Sequence, residues 1–110
     1  MPVMPIERVT RPLLLVLDVL LGDPDGEHYG YGVTKATGLP GGTVQPILGR
    51  LEAEGWLTSR REDIDPHLEG RRPRRFYKFT PLGQREAAQL VQERADRLAV
   101  LRPNLGGAAL

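Results

Sequence analysis

Four guanidiniums crowd into five residues in Gly70-Arg71-Arg72-Pro73-Arg74-Arg75. Arginine forks take phosphate oxygens two at a time. A proline among them suits a ribbon edge laid along a nucleic-acid backbone or over a minor groove. A second set lies upstream, where Val44, Ile47, Leu48 and Leu51 follow helical spacing. With those four turned inward, the opposite face carries Gln45, Pro46, Gly49, Arg50 and Ala53, with Thr43 at its N-terminal end. A glutamine amide pairs with adenine, and an arginine reaches a guanine edge or a phosphate. Small Gly49 and Ala53 let such a face come close to a surface. From residue 28 to residue 51 there is no acid, only Lys35 and Arg50, and residues 71–78 are again free of acids. Both stretches therefore suit a polyanionic partner better than the net charge of +1 suggests. The plainer reading is solvated surface: an exposed helix face, and a loop whose arginines pair with Glu62, Asp63, Asp65 and Glu69.

Other chemistries find little material. Cysteine is absent, which removes disulfides and thiolate metal sites, and His28 and His67 stand alone, so no metal-ligand spacing exists. Ser59 is the only serine and has Arg60 beside it rather than a histidine. No phosphate-cradling loop of the P-loop type is present. The expectation is a non-enzyme with no cofactor and no metal. Trp56, Phe76 and Phe79 read as core, and Tyr29 and Tyr31 as packing residues with surface hydroxyls, one of which has access to a phosphate.

The chain that must position these residues has 110 of them, enough for one domain with a modest core. Its 40% hydrophobic and 26% charged residues are ordinary for a globular protein, and 13 glycines and 10 prolines fall short of a disordered composition. The longest aliphatic run, Leu13 to Leu17, is far too short to span a bilayer. The first twelve residues make a poor signal peptide. A cytoplasmic protein without membrane association is expected.

The pattern predicts a first helix over 9–21, with Thr10 as N-cap and Pro12 in the first turn. Eight of the nine residues from 13 to 21 are apolar, so this helix is buried on nearly all sides. A short helix over 29–37 ends at Gly38, and a third helix runs over 43–54, with Pro46 in its first turn. Strands follow at 56–61 and 75–80, joined by a thirteen-residue loop at 62–74. The last helix starts at Thr80-Pro81 and continues unbroken to about 101, with Arg94 inside its apolar stripe. This gives a mainly α fold with a small two-stranded β-wing: a winged helix-turn-helix plus a C-terminal dimerisation helix. The divisions are an N-terminal arm at 1–8, the DNA-binding domain at 9–80, the dimerisation helix at 81–102 and a flexible tail at 103–110. In such a fold the second helix of the motif enters the major groove.

At the level of motifs the sequence resembles the PadR-like transcriptional regulators. The resemblance rests on Tyr29-Gly30-Tyr31, Lys35-Ala36-Thr37-Gly38-Leu39, Gly42-Thr43-Val44-Gln45-Pro46-Ile47-Leu48, Arg50-Leu51-Glu52, Glu54-Gly55-Trp56-Leu57, the run from Gly70 to Thr80, and Gly83. It covers about residues 13–100. It implies a winged-helix domain, a recognition helix beginning at Gly42-Thr43, a dimer built with the C-terminal helix, and repression of nearby genes. Two positions depart from the family pattern: Gln45 stands where tyrosine is usual and Pro40 where serine is frequent. Some members hold flat aromatic ligands with a tryptophan of the dimerising helix. This chain has none there, its sole tryptophan being Trp56.

Surplus apolar surface on the first and last helices points to a homodimer through Leu14, Leu17, Leu90, Val91, Leu98 and Leu101, matched to a pseudo-palindromic operator. The expected function is a sequence-specific regulator of double-stranded DNA, a repressor, open to a small-molecule effector at the dimer interface. Its contacts are Thr43, Gln45, Pro46, Gly49 and Arg50 on the helix, with Lys35, Arg71, Arg72, Arg74 and Arg75 on the wing and flank. The rival reading is a winged-helix protein-interaction module, since fold does not fix function and the recognition helix offers only Arg50 as an outward cation.

Overall fold

A computed structural model describes residues 8–102. The arm at 1–8, apart from Arg8, and the tail at 103–110 lie outside the described residues.

Helix α1 (Arg11–Leu21) starts at Thr10, whose hydroxyl accepts from the Leu13 N–H at 3.2 Å. Six of its residues are buried, and they face two ways. Leu13, Val16, Leu17 and Leu20 join Val33, Val44, Leu48, Leu51, Leu57, Tyr77, Phe79 and Ala87 in the main core. Leu14 and Leu15 form a second cluster with Leu98. The apolar surplus of α1 is thus absorbed within its own chain.

Strand β1 (His28–Tyr29) leads into α2 (Gly30–Thr37), and α3 (Gly41–Ala53) follows after Leu39-Pro40. Gly38 leaves α2 at φ 77°, a left-handed conformation that glycine adopts without a Cβ clash. Strands β2 (Leu57–Arg61) and β3 (Arg75–Phe79) form the wing, and β1 adds to the other edge of β3. The sheet is therefore three-stranded and antiparallel, in the order β1-β3-β2, where the sequence predicted two strands. His28 pairs with Tyr77 and Tyr29 with Phe76. Two residues carry no periodicity; it is the free edge of β3 that makes them a strand.

Three further differences follow from packing and capping. Helix α3 begins at Gly41, two residues before the expected start, with Pro40 at its N-cap. Pro46 thus lies in the second turn, and the Gly42 carbonyl it leaves without a helical donor belongs to an exposed residue. The 62–74 loop contains a single helical turn, α4 (Pro66–Glu69), capped where the Asp65 carboxylate accepts from the His67 N–H at 2.9 Å. The last helix is not continuous: α5 (Pro81–Glu93) stops at Arg94 and α6 (Ala95–Leu101) turns back toward α1. The break leaves Arg94 exposed and seats Leu98 against Leu14 and Leu15.

This packing corrects the expected interface. Leu14, Leu17 and Leu98 are 0–1% exposed in a single chain, enclosed by its own two clusters, and present no surface to a partner. Leu90, Val91 and Leu101 are half-buried, also against those clusters, while Val100 stands 84% exposed on α6.

Candidate nucleic-acid interface

Helix α3 is held mainly by burial. Val44, Leu48 and Leu51 are fully enclosed and Ile47 half-buried, which turns Gln45, Pro46, Gly49 and Arg50 to solvent. Thr43 is half-buried, in the first turn rather than at the tip. The space outside Gly49 is empty, so the helix has a flat approach there. Lys35 lies on α2, its ammonium 5.7 Å from the centre of the Tyr31 ring.

The strands of the wing are anchored by Leu57, Tyr77 and Phe79 in the core, and its tip is held by charge. The Arg71 guanidinium donates to both Glu62 carboxylate oxygens, at 2.7 and 3.0 Å, and the Arg74 backbone N–H donates to the same carboxylate at 3.1 Å. The Glu62 N–H in turn donates to the Arg74 carbonyl at 2.7 Å, which closes the base of the loop. The Arg71 hydrogen bonds, followed by that of the Arg74 N–H, hold the Glu62 carboxyl down at about 2, so it is ionised at neutral pH. Arg71, expected among the cations facing a polyanion, is committed to shaping the wing. Arg72 is exposed at the tip.

A stack of rings and guanidiniums braces the β1–β3 face. Arg74 lies 4.5 Å over Tyr29, Tyr29 meets Phe76 edge-on at 5.8 Å, and Arg60 covers Phe76 at 5.0 Å. Arg60 ends the series in a bidentate pair with Glu27, at 2.6 and 2.7 Å. Arg75 donates to the Ser59 hydroxyl at 3.0 Å, and that hydroxyl donates to Glu52 at the end of α3, at 2.6 Å.

These supports bring Gln45, Arg74 and Arg75 together around a cleft of about 340 Å³, with Tyr31, Pro73 and Tyr77 completing its walls. Burial first, then the nearby Glu52 charge, pushes the Tyr77 phenol up, which keeps it protonated. Arg50 and Arg72 do not line this cleft. Glu62 and Glu52 are the residues whose roles were not foreseen, while Tyr29 packs as expected, against Phe76 and Arg74. The one signal for Glu62 was its place among the acids that could pair with the loop. Among the described residues no group of three or more acid or histidine side chains could hold a metal ion, and no helix is long and apolar enough to cross a membrane.

Residues 16–89, from within α1 to within α5, match the transcriptional regulator PadR-like family. The chain belongs to that family. A similar protein is the transcriptional regulator Rv3488 of Mycobacterium tuberculosis, 34% identical over 96 residues, which span 83% of this chain and 82% of the relative. Among solved structures, a PadR family transcription regulator from Clostridium difficile R20291 superposes with a TM-score of 0.62. It is 22% identical and covers 83% of this chain and 94% of its own. BpsR of Bordetella bronchiseptica, whose DNA binding is regulated by 6-hydroxynicotinic acid, gives 0.64 at 22% identity, covering 88% and 67%. At that identity these two structures support the fold. In this PadR-like regulator, α2 and α3 form the helix-turn-helix of the winged-helix fold and the β2–β3 ribbon is its wing.

Proposed function

We propose that this PadR-like chain is a cytoplasmic repressor that binds a pseudo-palindromic operator in double-stranded DNA as a homodimer. The observation that carries this reading is the cleft between α3 and the wing, whose lining holds no carboxylate and brings Gln45 together with Arg74 and Arg75. Gln45 and Arg50 read base edges, Gly49, Pro46 and Thr43 set the approach of the helix, and Arg72, Arg74 and Arg75 meet the backbone or the minor groove. Lys35 adds charge at the flank. Because Leu98, Leu14 and Leu17 are enclosed, the dimer forms through the outer face of α5 and α6, with Val100 at its centre and Leu90, Val91 and Leu101 beside it. A small apolar effector would enter between α1 and α2, in a cleft of about 350 Å³ lined by Leu15, Val19 and Ala36 and bridged by the Asp18–Arg102 ion pair. The test is fluorescence anisotropy with DNA from upstream of the chain's own gene against a scrambled duplex, at two salt concentrations. Tighter binding to the native duplex that persists at the higher salt supports the reading. Equal binding that salt abolishes reduces it to a basic surface, and no binding by the folded protein favours a protein-interaction module.

A further inference from the structure

The cleft between α2, α3 and the wing has a composition that packing does not explain. Two guanidiniums, three tyrosine side chains and a carboxamide line it, and no carboxylate does. The nearest acids are already engaged: Glu62 with Arg71 and the Arg74 N–H, and Glu52 with the Ser59 hydroxyl. The Arg74 guanidinium sits 4.5 Å over the centre of the Tyr29 ring, and among the described residues no carboxylate pairs with it, which leaves N–H groups to donate. Arg75 is steered by a neutral hydroxyl, so it keeps its charge while its direction is set. Beneath them, Gly30 is buried at the start of α2, and a Cβ there would collide with the Gln45 amide nitrogen. Glycine at 30 is what lets the Gln45 amide lie along the cleft.

We propose that this cleft seats one phosphodiester of the DNA backbone, gripped by Arg74 and Arg75 with the Tyr31 hydroxyl and the Gln45 amide as neutral donors. The proposal rests on the DNA-binding reading and assigns one contact within it. A base is a poor occupant, because the cleft lies beside α3 on the wing side, whereas base edges lie in front of the helix. The strand that borders the major groove runs along that side and presents a row of phosphates. A free anion is a poor occupant as well. The cleft is open, and its donors are exposed or half-buried, so a lone phosphate stays hydrated and gains little. A phosphate fixed in a duplex arrives already positioned. This assignment also gives Gln45 a second task. A side chain on the recognition helix that touches the backbone fixes the register in which its neighbours, Gly49 and Arg50, meet the bases.

The experiment uses the full chain and a duplex selected by it from a random-sequence pool. Each phosphodiester of one half-site is replaced in turn by a neutral methylphosphonate, and affinities are compared for wild type, Arg75→Gln and Tyr31→Phe, each shown to melt like the parent. One replacement is expected to cost wild type about tenfold, the scale of a charge-assisted contact. The same replacement should cost Arg75→Gln less than about twofold, because one lost contact cannot be lost again, with Tyr31→Phe between the two. Equal losses in all three proteins at every position overturn the seat while leaving DNA binding intact. A pool that yields no bound duplex removes the DNA-binding reading and the seat with it. Inorganic phosphate is titrated in parallel by following the Arg74 and Arg75 side-chain resonances. Saturation at low millimolar phosphate would reassign the cleft to a free anion, and the absence of saturation supports the backbone source.

Discussion

The recognition helix and the wing lie side by side and are held in opposite ways. Helix α3 is pinned by Val44, Leu48 and Leu51, all fully buried, and Gly41 to Ala53 contribute one side-chain hydrogen bond, at Glu52. The wing tip buries nothing between Ile64 and Arg72. Its shape comes from Glu62, Arg71, Arg74 and Asp65, through ion pairs and hydrogen bonds at the surface. A helix held by burial keeps its place in any buffer in which the domain is folded. A wing held by a carboxylate clasp has its own stability and its own sensitivity to pH. Placement of the outward face of α3 and placement of the cationic edge of the wing are therefore separable properties of one domain.

The largest blow to that contrast is Leu48→Ala. Removing a fully buried leucine beneath α3 should cost about 2–5 kcal/mol of global stability, measured by urea unfolding. The wing should open only with the rest of the domain. A loss well below that range would mean that α3 is held by something besides its stripe. Next comes Glu62→Gln, which keeps the size of the side chain and removes its charge. It should leave the urea midpoint almost unmoved while trypsin cuts after Arg71 several times faster. Operator affinity should fall even though the protein becomes more positive, and a rise in affinity would show that the clasp does not shape the DNA-facing edge. The pH dependence has a definite sign. Because the folded-state pKa of Glu62 is depressed to about 2 from an ordinary 4.5, its contribution is complete above about 4.5 and fades as pH falls toward 2. Amide-exchange protection at 62–74, relative to the core, should fall in that window and not at higher pH. The smallest effect is Arg72→Ala, which should leave both stability and the clasp intact. It should lower the slope of log affinity against log salt by about one unit, and an unchanged slope would take the wing tip out of the interface.

The same contrast explains what could be read from the sequence. The α3 stripe, the buried α1, the Thr10 and Thr80 caps and the Gly38 stop were legible because each depends on neighbours within one or two helical turns. So were the basic ribbon and the glutamine–arginine face. Strand β1 was not, because two residues acquire strand geometry only from the edge of β3, almost fifty positions away. The break at Arg94 was hidden because Leu90, Val91, Leu98 and Leu101 keep a helical period across it, and only the pull of Leu14 and Leu15 on Leu98 shows why the chain turns. The enclosure of Leu14 and Leu98 follows from that turn, whereas Leu17 is enclosed by the main core. Glu62 was one acid among four in its loop, and its partner was chosen by a helical turn, Pro66–Glu69, that has no core to announce it.

Leu39 occupies the short link between α2 and α3 and touches both hydrophobic clusters, the one beneath the recognition helix and the one closed by α6. Mechanically it is a bearing between two rotors. Any rocking of α6, whether imposed by a second subunit or by an occupant near Arg102, bears on the residue from which the recognition helix departs. In a symmetric pair, such a turn of one helix is mirrored by the other. A movement too small to disturb either core would then change the distance between two reading heads that must match a fixed helical repeat.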